Sequence, residues 1–280
     1  MREINTSEII KTVKELCINA NYYLCSDVKE KLNQSYEEES WPIAKNILNN
    51  ILDNINIAEN DEIPICQDTG MACVFVEIGQ DVHVVGGDLR EAINEGVRQG
   101  YEEGYLRKSI VKDPLDRVNT KDNTPAFIYY DIVPGDKIKI TVAPKGAGSE
   151  NMSKIAMLKP ADGVEGIKEF IINTVKEAGP NPCPPIVIGV GIGGSFDKAA
   201  YLAKKALTRS INLKNSNPYY ENLEKELLDT INELGIGPQG FGGKITALGV
   251  NIETYPTHIA CLPVAVNINC HATRHASKEL

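Results

Sequence analysis

The sequence contains no apolar run approaching the ~20 residues that a membrane-spanning helix needs, which argues against a membrane protein. Its opening stretch, MREINTSEIIKTVKELC, is interrupted by charge throughout and lacks a continuous apolar centre, so it does not read as a secretory signal. A cytoplasmic location is the expectation. There is also no excess of basic residues: 29 Lys and Arg stand against 38 Asp and Glu, a formal charge of −9. Basic residues are scattered, with only short pairs such as Lys204-Lys205, and a phosphate backbone demands a concentrated positive surface. Nucleic acid is therefore excluded as a partner. Paired CxxC spacings, internal repeats and low-complexity linkers are absent as well.

What is present is an ordinary globular composition, 42% hydrophobic and 24% charged, in a chain of 280 residues. That length can bury a large core and lies near the upper limit of what one core organises. Residues 3 to about 60 carry apolar positions at helical spacing: Ile9, Ile10, Val13, Leu16 and Cys17, then Ile43, Ala44, Ile47, Leu48, Ile51 and Leu52. Thr6 and Ser7 are candidate caps, with Glu8 in the first turn. From Pro64 the texture changes to short apolar runs between glycine and proline. MACVFVEIG, AFIYYDIV, DKIKITVAP, PPIVIGVGIG, KITALGVNIET and HIACLPVAVNI read as strands, several buried on both faces. Amphipathic helices separate them: DLREAINEGVRQGYEEGYLR, VEGIKEFIINTVKEAG, SFDKAAYLAKKALTR and NPYYENLEKELLDTINELG.

The expected fold class is α/β: a helical amino-terminal part over 1–60, then a mixed α/β region over 61–280 with short buried strands and glycine-rich loops, the two forming one integrated domain. Pro134-Gly135-Asp136 should be a hairpin turn between two strands. The Asn-rich interval INLKNSNPYYEN is the most loop-like and reads as a mobile surface loop.

Seven cysteines, an odd number, read in a reducing compartment as thiols and metal ligands rather than a disulfide framework. Cys17, Cys25 and Cys73 sit within helical or strand patterns, as small buried hydrophobes do. Cys66 in PICQDTG, Cys183 in NPCPP and Cys270 in NINCHATRH are instead flanked by helix breakers or turn residues. A lone cysteine of this kind is more often structural than a ligand. Three at strand ends suggest a metal or cluster held from three distant points. Three thiolates on a four-iron cluster leave one iron without a protein ligand, able to act as a Lewis acid. Zinc ranks lower, because it favours paired cysteines.

The glycine-rich segments read less sharply. PKGAGSEN has amides that can bind a carboxylate or phosphate, or is a plain turn. GVGIGGSFDKAA carries GxGxxG at Gly189, Gly191 and Gly194, but no acidic residue stands at the distance a ribose requires. GPQGFGGK lacks the strand-GxxxxGK[ST]-helix pattern of a P-loop, and packing around a cofactor explains it better.

Taken together and in order, PICQDTG, LRKS, APKGAGSEN, NPCPP, GIGPQGFGGK and THIACLPVAVNINC resemble the amino-terminal catalytic region of class I, iron-sulfur-dependent fumarate hydratases and the related L-tartrate dehydratase alpha subunits. The likeness runs from about Pro64 to the carboxyl terminus. It implies a hydro-lyase with a 4Fe-4S cluster on Cys66, Cys183 and Cys270; Cys261 matches no ligand position. It implies substrate contacts from Gln67, Asp68, Arg107, His258 and the loop at Gly146 and Gly148, with Asp68 and His258 in catalytic roles. Arg107 can clamp a carboxylate with two parallel hydrogen bonds, or form a surface ion pair. His258 can donate or shuttle a proton, or be a satisfied core residue. Asp68 is costly to bury without a partner, which favours a polar site.

In the resembled family a threonine of the carboxyl-terminal region is the base. Because this chain stops at Leu280, that region is expected on a separate beta subunit, in a dimer of alpha/beta pairs. The expected reaction is reversible hydration of fumarate to (S)-malate. L-tartrate dehydration is the alternative, and a cluster-binding redox or sensor protein is the alternative of another class.

Overall fold

The amino-terminal apolar spacing forms helices, as the sequence predicts. In the computed structural model, which describes residues 1–280, a short strand β1 (Arg2–Asn5) leads into α1 (Thr6–Tyr22), α2 (Ser26–Glu38) and α3 (Pro42–Asp61). Ile9, Val13, Leu16 and Cys17 share the buried face of α1. The cap of α1 is Asn5 rather than the expected Thr6 or Ser7. Its Oδ1 accepts the Ser7 N–H at 2.9 Å, and Thr6 already lies inside the helix.

The remainder alternates strands and helices. Strands β2 (Met71–Gly79) and β3 (Val82–Val85) precede α4 (Leu89–Glu103), and β4 (Phe127–Val133) and β5 (Ile138–Lys145) precede the single turn α5 (Ala147–Glu150). Then come β6 (Lys154–Leu158), α6 (Gly163–Ala178), β7 (Ile186–Gly193), α7 (Phe196–Ala206) and α8 (Pro218–Glu233). Strands β8 (Ala247–Tyr255), β9 (Leu262–Asn269) and β10 (Ala276–Glu279) complete an α/β chain. No helix is long and apolar enough to cross a membrane.

Packing divides the chain into two compact units. The first comprises Met1–Cys25, Ile55–Ala147 and Arg274–Leu280; the second comprises Ser26–Asn54 and Gly148–Thr273. The first is built on a four-stranded sheet of order β10-β5-β2-β4, with β2 and β4 parallel and the other neighbours antiparallel. Strands β1 and β3 add a parallel pair. Helix α1 packs on α4, and their buried faces join Val74, Ile138, Ile140 and Val142 in one core. Glycine makes that helix contact possible. A Cβ at Gly96 would lie 2.6 Å from the Val13 Cβ, and one at Gly100 would lie 2.8 Å from that of Cys17.

The Pro134-Gly135-Asp136 segment is not the expected hairpin, because β2 lies between β4 and β5 in the sheet. The turn passes over the end of β2, where Gly79 N–H donates to Lys137 at 2.8 Å and Gln80 N–H to Val133 at 2.8 Å. Polar groups at the β2 terminus find partners in the crossing turn, so a crossover satisfies them as well as a hairpin would.

The second unit has the sheet order β6-β9-β7-β8, in which β7 and β8 are parallel and β9 is antiparallel to β6 and β7. Every residue of β7 is buried, as its continuous apolar run predicts. Residues of α6 and α8 share a core with β7, β8 and β9, while Ala199 and Ala203 of α7 pack with Ala265 of β9 in another cluster. The Asn-rich interval is tied down rather than loose. Asp27 accepts from Ser210 Oγ at 2.7 Å and Ile211 N–H at 2.8 Å, and Asn215 donates to Ile252 at 2.9 Å.

Candidate active site

In the first unit, the CQDTG segment is a turn whose carbonyls point inward to buried side chains. Arg274 Nη2 donates to the Asp68 carbonyl oxygen. The Tyr101 hydroxyl lies 2.8 Å from the Thr69 oxygen and 3.0 Å from the Gly70 oxygen. Asn123 Nδ2 reaches the Gly70 oxygen at 3.2 Å. Tyr101 and Asn123 are 0% exposed and Arg274 is 4% exposed. Burial pushes the Tyr101 phenol well above its ordinary pKa, and the nearby Arg274 charge only partly offsets this. Three consecutive carbonyls are thus fixed from within, which leaves the turn's side chains to be set by bonds of their own.

Those bonds orient the candidate residues. Cys66 Sγ accepts the Asp68 N–H at 3.4 Å. The Asp68 carboxylate accepts Gly70 N–H on Oδ1 at 3.1 Å and Ala147 N–H on Oδ2 at 2.9 Å. Gly70 adopts φ +74, and a Cβ there would lie 2.7 Å from the Lys145 backbone, so the close approach to β5 requires glycine. A Cβ at Gly146 would come 3.1 Å from Asp68 Oδ2, placing the PKGAG loop directly beside that carboxylate. Thr69 Oγ1 donates to the Arg107 carbonyl at 2.9 Å, which ties the LRKS segment to the same turn. The side chains of Gln67 and Arg107 are exposed. Cys66, Gln67, Asp68, Gly146 and the Arg107 backbone therefore form one construction.

In the second unit, Cys183 and Cys270 are neighbours. The Cys183 carbonyl accepts His271 N–H at 3.3 Å and lies 3.0 Å from His271 Nδ1. Cys183 is exposed at φ +55, a conformation that costs a non-glycine residue about 1–3 kcal/mol and persists only when its surroundings enforce it. The enforcement includes Cys183 N–H donating to Pro180 at 3.0 Å, and Gln239 donating to Pro184 through its N–H at 2.8 Å and Nε2 at 2.9 Å. The GPQG segment thus braces the NPCPP segment. Gly148 lies beside the same loop, since a Cβ there would be 3.9 Å from the Asn181 oxygen.

His258 occupies a different place. It sits on the loop between β8 and β9, exposed, with Nδ1 accepting the Ala260 N–H at 3.1 Å. Cys270 follows the far end of β9, whose eight residues span roughly 25 Å, so His258 and Cys270 stand at opposite ends of that strand. The glycines of GVGIGG serve packing: Cβ atoms at Gly189 and Gly191 would each lie 2.1 Å from carbonyl oxygens of α7, those of Ala203 and Ala199.

None of the seven cysteines is in a disulfide, and no group of three or more His, Cys, Asp or Glu side chains gathers as a metal-ion site. A multi-iron cluster takes its thiolates on separate irons, so crowding of ligands about one point is not its requirement. Sequence reasoning missed Tyr101, Asn123 and Arg274. Only Arg274 carried a signal, an arginine four residues beyond Cys270 in CHATR.

Comparison with known proteins gives the chain a family. The Fumerase family, described as fumarate hydratase, matches residues 10–279. The putative L(+)-tartrate dehydratase subunit alpha of Methanocaldococcus jannaschii is 48% identical over 279 residues, with 98% of each chain covered. The L(+)-tartrate dehydratase subunit alpha of Escherichia coli K12 is 32% identical over 285 residues, covering 99% of this chain and 93% of the relative. These likenesses define a hydro-lyase of the alpha-subunit type. The chain belongs to the Fumerase family of fumarate hydratases.

Proposed function

We propose that this chain is the alpha subunit of an iron-sulfur hydro-lyase that interconverts fumarate and (S)-malate together with a separate beta subunit. The supporting observation is the CQDTG turn, where a thiol and a doubly held carboxylate share one rigid frame with the Arg107 segment. Cys66, Cys183 and Cys270 would hold a 4Fe-4S cluster. The residues fit such a group: the thiols are not consumed in disulfides, two lie on a braced loop pair, and the buried Arg274 Nε beside the Cys66 turn has no hydrogen-bond partner. When bound, the cluster would supply a Lewis-acidic iron with an open position for a substrate oxygen.

The chain's own residues supply binding and orientation. Arg107, its side chain exposed and its backbone held by Thr69, would clamp a substrate carboxylate with two parallel hydrogen bonds. Gln67 would hold a second polar group of the substrate, with backbone donors from the loop at Gly146 and Gly148. Asp68, its carboxylate aimed by two N–H groups, would orient the proton being transferred. Dehydration breaks the C–O bond and removes the neighbouring C–H proton to a base on the beta subunit; water leaves and no electrons are exchanged. A catalytic role for His258 would require that side chain from another copy of the chain, because within one chain it stands across the length of β9 from Cys270.

L-tartrate dehydration is the second reading. The relatives' names favour it, and tartrate offers the same carboxylate and hydroxyl to Arg107 and the iron. The test is anaerobic reconstitution of the alpha/beta pair, with turnover measured on malate and L-tartrate. Iron and sulfide content is compared between wild type and Cys66→Ala, Cys183→Ala and Cys270→Ala. Turnover on neither substrate, or uptake of iron indifferent to all three cysteines, would overturn the proposal. Substrate should also perturb the cluster's spectrum; a cluster blind to both acids would indicate an electron carrier.

A further inference from the structure

Arg274 is an arginine almost wholly removed from water and given very little in return. It is 4% exposed, its Nη2 donates to a neutral dipole, the Asp68 carbonyl, and its Nε is buried with no partner. No carboxylate forms an ion pair with it, although carboxylates compensate other arginines here: Arg209 is held by both Glu224 and Glu253. A buried cation without a counter-charge is among the most costly features a core can carry. Even a buried ion pair is often replaced by apolar residues at no loss of stability, and an unpaired charge has less still to lose. Its position gives the reason for keeping it, because the carbonyl it grips belongs to the residue whose N–H binds Cys66 Sγ.

We propose that Arg274 is a positioning residue and resident counter-cation for the anionic, metal-loaded form of the Cys66 turn. In the unloaded chain its charge is uncompensated. Once thiolates and a cluster of net negative charge occupy the site, the guanidinium finds its partner across the Asp68 peptide. The role rests on the cluster assignment proposed above and concerns retention of the cofactor, not a contact with substrate.

The two states of the protein should respond in opposite directions. In the unloaded full-length chain, Arg274→Met should melt at or above the wild-type temperature, because removing an unpaired buried charge outweighs the loss of the Asp68 carbonyl's donor. In anaerobically reconstituted protein, the same variant should release iron to a chelator about tenfold faster or more, the usual scale for losing an outer partner of a metal site. Arg274→Lys keeps the charge without the fork and should release iron within about threefold of wild type. An arginine with a purely structural role would instead lower the melting temperature of the unloaded chain on substitution by Met, and that result overturns the inference. So does iron release from Arg274→Met at the wild-type rate. Wild-type protein that takes up neither iron nor sulfide overturns the cluster assignment itself, and this inference with it.

Discussion

Tyr101→Phe tests whether the CQDTG turn is held from within. The substitution removes one oxygen from a side chain that is 0% exposed and leaves its ring packing intact. The hydroxyl faces two carbonyls, of Thr69 at 2.8 Å and Gly70 at 3.0 Å. Gly70 retains Asn123 Nδ2 at 3.2 Å, so the Thr69 oxygen is the group that loses its partner. A buried acceptor left bare costs about 1–3 kcal/mol. At ~2–4 °C per kcal/mol for a protein of this size, the melting temperature of the unloaded chain should fall by several degrees.

The effect should be larger in function. Thr69 Oγ1 holds the Arg107 carbonyl, so a turn free to rock displaces both the Cys66 thiol and the Arg107 segment. The reconstituted enzyme should lose about tenfold to a hundredfold in kcat/KM, the scale on which small misplacements act. Asn123→Ala, made alone and combined with Tyr101→Phe, should couple by about 0.5–1 kcal/mol, because both act on the Gly70 oxygen. Thermal unfolding monitored by circular dichroism gives the stabilities, and initial rates on malate and L-tartrate give the kinetics. A Tyr101→Phe variant within about 0.3 kcal/mol of wild type, with unchanged kinetics, would refute the reasoning.

Gly191→Ala places a methyl 2.1 Å from the Ala199 oxygen and should destabilise the chain by more than the ~1–3 kcal/mol typical of overpacking, read as loss of soluble protein or a lowered melting point. Burial pushes the Cys17 thiol up to about 12, so at pH 8 only about one part in ten thousand is thiolate. Mass mapping after brief iodoacetamide treatment of the native unloaded chain should find Cys183 and Cys66 alkylated and Cys17 untouched; early labelling of Cys17 would contradict its burial. Asp122 is destabilised as an anion by partial burial, but hydrogen bonds from Thr124 and Arg98 outweigh this and hold its pKa below the ordinary carboxylate value. Its contribution is present above the unfolded pKa of about 3.9 and lost as pH falls through the folded value. The melting-temperature gap between wild type and Asp122→Asn should therefore be full at pH 6 and shrink below pH 4; a gap independent of pH would count against the assignment.

The long elements were legible because each carries a period its burial enforces. The alternation and apolar runs of β2, β7, β8 and β9, and the three- and four-residue spacing in α1, α4, α6 and α8, decide those segments locally. The short strands β1, β3, β6 and β10 were not legible. Residues such as Ala276–Glu279 have no apolar pattern and become a strand only because β5 presents a row of backbone partners. The Pro134-Gly135-Asp136 turn misled for the same reason: its composition specifies a reversal, but the insertion of β2 between the joined strands is decided by the sheet. The thiol-bearing turns stood out through their helix-breaking flanks. Their supports did not, because Tyr101 and Asn123 look like ordinary polar residues until folding brings them under the turn from 31 and 53 positions beyond Gly70.

The route of the chain through the first unit bears on the order of assembly. That unit is interrupted by 29 and then by 126 residues assigned to the other, and is rejoined only at Arg274–Leu280. A nascent polypeptide can therefore build most of the second unit before β10 pairs with β5 or the guanidinium reaches the Asp68 peptide. The CQDTG turn therefore gains its Arg274 contact last, after Tyr101 and Asn123 are already available to hold the Thr69 and Gly70 carbonyls.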